Sequence, residues 1–85
     1  MPEISRFHGI IILMFADDHN PPHFHVRYGD KRAVISVKNG VVTGQMARKE
    51  LVKVFEWMDL HKTEILENWD RLKNGLEPLP IEPLI

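Results

Sequence analysis

"HFHVRYGDKRAVISVKNGVVT", residues 23–43, decides the fold. In "HFHVRY" (23–28), Phe24, Val26 and Tyr28 alternate with His23, His25 and Arg27. That period of two sends successive side chains to opposite sides of a strand. "YGDK" is a tight turn into a further strand, "KRAVISVK" (31–38). Asn39–Gly40 is the dipeptide most favoured in two-residue hairpins, because a type I′ turn needs φ > 0 at both central positions. "VVT" (41–43) follows as a short strand. Strands joined by such short turns run antiparallel.

Toward the N-terminus, "RFHGIIILMFA" (6–16) is apolar on both alternating sides. Phe7, Ile11, Leu13 and Phe15 share one side, and Ile10, Ile12 and Met14 the other. The expectation is a single strand, central in its sheet and buried on both faces. Toward the C-terminus the period changes. From Gln45 to Asn74, thirty residues without Gly or Pro, a helical stripe gathers Leu51, Val54, Phe55, Met58, Ile65, Leu66, Trp69 and Leu72, with His61 at its edge. A straight helix of that length would run about 45 Å, whereas a domain of this size is about 30 Å across. Either the helix breaks near "MDLHKT" or its end overhangs and needs a partner. Trp57 and Leu60 lie off the stripe and would be exposed on a rigid helix. Gly75 suits the position just past the helix end. Beyond it, the three prolines of "LEPLPIEPLI" (76–85) forbid helix. The expected architecture is one α+β domain. It has a small antiparallel sheet of three to four strands (6–43), a long, straight or bent helical segment (45–74) and an extended proline-containing tail (76–85). The two-sided strand needs cover on the face the helix leaves open, from the tail or from a second protomer.

Eighty-five residues make one core. The absence of cysteine excludes disulfides and thiolate metal sites. The longest apolar run, "IIILMFA", is too short to span a bilayer, and no secretory signal pattern opens the chain, so the expected compartment is the cytoplasm. The net charge of −1 conceals a basic middle. Residues 23–53 carry Arg27, Lys31, Arg32, Lys38, Arg48, Lys49 and Lys53 against Asp30 and Glu50, whereas residues 54–85 carry three bases and seven acids. A basic segment can attract phosphates.

Two chemistries fit "DDHNPPHFHVR" (17–27). His23 and His25, two apart on a strand, share a side. If His19 folds back across the "NPP" turn and Asp17 or Asp18 joins, the set holds zinc or another divalent ion. Alternatively, His23 and His25 act as acid and base beside the phosphate-binding cations Arg27, Lys31, Arg32 and Lys38. Those are the parts a metal-independent ribonuclease needs, and that reading calls for no cofactor.

"DHNPPHFHV" (18–26), with "GQMARKELVKVFEWMDLHKTEILENW" and "IEPL", resembles the bacterial family DUF4160, a domain of unknown function. The resemblance implies a small protein encoded beside another small protein, an arrangement similar to a toxin–antitoxin pair. The histidine strand and the "G-x-x-x-x-K-x-L" approach to a helix also resemble HicA-type mRNA interferases, whose strand histidine would fall on His23 or His25. The expectation is a toxin–antitoxin-like component that binds RNA or its neighbour's product through the His/Arg face. A metal-binding regulator or a non-catalytic adaptor is the alternative, and a homodimer is an assembly open to either reading.

Overall fold

In the computed structural model, which describes residues 3–85, the stretch 6–16 is not one strand. It breaks at His8 (φ 50°) and Gly9 (φ 79°). The chain folds back as β1 (Glu3–Phe7) and β2 (Ile10–Leu13), with Phe7 opposite Ile10. Positive φ at both central residues is type I′ geometry, matched to strand twist, and His is among the few side chains that tolerate it. Apolar residues on both flanks conceal this turn from a reading of periodicity. With β3 (His23–Tyr28), β4 (Lys31–Ser36) and β5 (Val42–Gly44), the sheet is antiparallel in the order β1-β2-β3-β4-β5. It has five strands rather than three to four. The apolar β2 is interior as expected, but β3 is the middle strand.

The hairpin at Asn39–Gly40 also differs from expectation. Only Gly40 has positive φ, 69°, so the turn is not type I′. The loop instead spans four residues: Ser36 N–H donates to Val41 O, Gly40 N–H donates to Ser36 O, and the Asn39 side chain accepts from Val41 N–H. Val37, inside this loop, stays in the core at 1% exposed.

Directly opposed residues project to the same side of a sheet, so the register sorts the faces. Phe7, Ile10, Ile12, Phe24, Val26, Ala33 and Ile35 share one side. All seven are buried. The other side carries Arg6, Ile11, Leu13, His25, Arg27, Arg32, Val34 and Thr43.

Helix α1 (Arg48–Lys73) packs on the first side, burying Val54, Met58, Ile65, Trp69 and Leu72. Straight, it would run about 39 Å, longer than the molecule's 34 Å. It kinks at His61 (φ −125°, ψ 23°), within "MDLHKT". The helix ends in a Schellman motif: Leu76 N–H donates to Arg71 O, and Gly75 (φ 76°) N–H to Leu72 O.

Trp57 is fully buried, not exposed. Its ring packs on Phe7 and Phe24, and its Nε1–H donates to Glu82 O. The C-terminal segment makes this burial. Residues 76–85 form neither helix nor strand. Ile81 N–H donates to Ile4 O, Ser5 Oγ donates to Ile81 O, and the buried Asn68 amide pairs with both backbone groups of Leu79. The tail therefore closes the seam between β1 and α1 on the helix side. It does not cover the other face. Leu60 is exposed as expected.

Trp57→Ala should remove about 3–5 kcal/mol of stability, much of the total for a domain whose whole stability is on the order of 5–15 kcal/mol. Trp57→Phe keeps most of the apolar contact and loses one hydrogen bond, so chemical denaturation should show a cost of only about 1 kcal/mol. Equal costs would mean that the tail contact, not the packing, dominates.

Candidate functional site

The loop from Met14 to Pro22 joins β2 to β3 and is tied to the far end of the helix. Trp69 Nε1–H donates to Asn20 Oδ1 at 3.0 Å, and Lys73 lies 4.5 Å over the Trp69 ring with its Nζ 3.5 Å from Ala16 O. The Asn20–Pro21 peptide is cis. Pro22 O accepts from Val37 N–H, carrying the β3–β4 pairing one step further.

This loop brings Asp18 over the histidine strand. Asp18 Oδ2 lies 2.9 Å from His25 Nε2 and 3.3 Å from His23 Nε2. One ligand atom from each of the three residues falls within 4.8 Å of the others. Their side chains are 19–29% exposed, shielded but within reach of solutes. Phe15 meets the His25 ring edge-to-face at 4.7 Å, and His23 lies against Trp69 at 5.2 Å, so aromatic neighbours fix both imidazoles.

Hydrogen-bond accounting identifies what the cluster wants. Pro21 O can only accept, so its 2.9 Å contact with His23 Nδ1 places a proton on that nitrogen. A neutral His23 then turns a lone pair toward the Asp18 carboxylate, and a proton or another cation between them relieves that contact. An imidazole whose remote N–H is held by a backbone carbonyl is also the usual support for a metal-ligating histidine. Donors about 2.0–2.1 Å from one ion lie roughly 3.0 Å apart in an octahedron and roughly 3.3 Å apart in a tetrahedron. At 2.9 and 3.3 Å, Asp18 Oδ2 is near enough to each imidazole to share an ion with it.

Of the residues singled out from sequence, His23 and His25 come together with Asp18. His19 and Asp17 are exposed and lie outside the group. Arg27 and Arg32 sit opposite each other on the open face. Lys31 pairs with Tyr28 at the hairpin end, on the helix side of the sheet, and Lys38 lies beyond β4 near Pro21 and Trp69. The four basic residues thus do not form one patch. Arg6 shares the arginine row but is engaged by Glu3 at 2.7 Å. Chiefly through that hydrogen bond, Arg6 holds the Glu3 carboxyl below its ordinary value. Next to the cluster is a concavity of about 390 Å³ between Phe15, His25, Arg27 and Thr43. Asn20 and Trp69 position the site without any local signal, because 49 positions separate them.

Fold and site define a small α+β domain with an open sheet face bearing histidines and arginines. The chain matches DUF4160, a domain of unknown function, over residues 9–70 and belongs to that family. The matched span holds Asp18, His23, His25 and Arg27, while β1 and the tail fall outside it. No curated protein and no solved structure matches the chain. No helix among the described residues is long and apolar enough to cross a membrane.

Long-range ¹⁵N–¹H spectra should show His23 carrying its proton on Nδ1 near neutral pH. A neutral Nε2–H form would contradict the Pro21 contact.

Proposed function

We propose that this protein is a divalent-metal-binding domain, with Asp18, His23 and His25 as its three protein ligands. The observation that carries this reading is the convergence of Asp18 Oδ2 and His23 Nε2 while Pro21 O occupies the other His23 nitrogen. An N/O donor set without thiolate suits zinc or another first-row divalent ion. Three protein ligands leave coordination positions for water or a bound molecule, as in sites that handle a ligand. The partial exposure of all three side chains supplies the route in. The 2.9 Å hydrogen bond between His25 Nε2 and Asp18 Oδ2 holds two of these groups together.

Untagged protein should bind one equivalent of zinc or cobalt in calorimetry. Asp18→Ala or His23→Ala with His25→Ala should weaken binding at least a hundredfold, and His19→Ala should leave it unchanged. Affinity should fall as pH drops through the imidazole range, because protons compete for the ligand nitrogens. At a metal concentration about 100 times Kd, chelation should remove about 2.7 kcal/mol of stability. Wild-type affinity in the Asp18→Ala protein would sink this reading.

A second reading is favoured by Arg27 and Arg32 sharing the open face with His25. In it the face binds RNA phosphates, His23 and His25 supply acid–base chemistry, and the protein is an mRNA interferase-like half of a toxin–antitoxin-like pair, with a small neighbouring protein as its partner. Arg27→Ala should then weaken binding across RNA sequences and flatten its salt dependence. His25→Ala should spare binding and abolish cleavage. No RNA bound at low salt by the wild-type protein would exclude it.

A further inference from the structure

The open face has a feature that an ion at Asp18, His23 and His25 leaves unanswered. Arg27 and Arg32 oppose each other directly across β3 and β4. Like charges so placed destabilise a sheet unless something negative lies between them. Neither arginine forms an ion pair among the described residues, whereas Arg6 has its own partner in Glu3. The Nε–H of Arg27 is also cut off from solvent without an acceptor, and it is the buried side-chain polar atom left unsatisfied among the described residues. Buried donors are nearly always paired, so this one leaves the Arg27 guanidinium short of an acceptor.

Arg27 and Arg32 line the concavity of about 390 Å³, with Leu13, Phe15 and Val34 among its other walls. That volume suits a small organic molecule, and mostly apolar walls with a few polar groups are the usual lining of such sites. A guanidinium presents two parallel N–H groups that match the two oxygens of a carboxylate. We propose that this groove binds a small amphipathic carboxylate. Its oxygens accept from the Arg27 guanidinium, with Arg32 at the rim, and its apolar or aromatic body lies along Leu13, Phe15 and Val34. A polyanion is a poorer match, since Lys31 and Lys38 lie away from the groove and its walls offer apolar surface where a phosphate chain needs donors. A second copy stacked face to face would bring the same uncompensated arginines together. The inference is independent of the ion, since its charged contact is with the arginines.

The test uses full-length protein in EDTA, so the outcome does not depend on metal. Backbone amide shifts of Val34 and Thr43 are followed during titration with 3-phenylpropionate, with 3-phenylpropanol as the uncharged counterpart, and with inorganic phosphate and a uridine oligonucleotide. The acid should give saturable shifts confined to β2–β5, with at least tenfold tighter binding than the alcohol or phosphate. Arg27→Gln should weaken it at least tenfold. Thr43→Trp, which fills the groove from an exposed position and keeps both arginines, should block it while thermal stability is retained. If Arg27→Gln does not fold, the Thr43→Trp result and the acid–alcohol comparison decide. Equal binding of acid and alcohol, unchanged binding in Thr43→Trp, or tighter binding of phosphate or of the oligonucleotide than of the acid would overturn the proposal.

Discussion

A sheet of five strands spaced about 4.8 Å apart is roughly 19 Å wide, whereas one helix covers about 10 Å. The rest of the structure answers that mismatch. Among the described residues there is one helix, and it bends at His61 instead of running past the sheet. The remaining width near β1 is closed by a tail with no regular structure, held through Ile81 and Asn68. Both elements serve the same face, where seven opposed side chains are buried together with Trp57. No second layer among the described residues remains for the other face, and so it is the one open to chemistry.

The helix nonetheless reaches the open side indirectly. Trp69, on its apolar stripe, holds Asn20 with its indole N–H and lies against His23. Lys73, one turn on, reaches Ala16 O. The residues that complete the core thus also fix the loop that presents Asp18. Site geometry and domain stability are coupled through this corner, so loosening it would disturb Asp18 before the sheet itself. Charge on the open face divides in the same spatial way. Asp18 and two imidazoles sit at the loop end, and two arginines without carboxylate partners among the described residues sit further along the strands.

Much of this was legible in the residues. Alternation in "HFHVRY" put His23, His25 and Arg27 on one side of a strand, and periodicity from Leu51 to Leu72 defined the helix. The mismatch between helix length and domain size left a break near "MDLHKT" or an overhang, and the kink at His61 is the former. Gly75 marked the helix end. The errors have physical causes. His8–Gly9 turns inside an apolar run that masks its period, and Asn39–Gly40 has the composition of one turn but lies in a four-residue loop closed by Ser36 and Val41. Trp57 lies off the apolar stripe but is buried by a tail that joins it 25 positions later.

The sequence by itself determined the class of fold, the antiparallel pairing and the shared side of the two histidines, because these follow from periods of two and 3.6 within a few residues. The tertiary structure decided which acid joins them, which arginines lack a carboxylate partner among the described residues and which face stays open. A loop's path is set by contacts such as Trp69 with Asn20, made between residues far apart in the chain. His19 and Asp18 are neighbours in sequence and equally apt as ligands, but only one of them is turned toward the strand.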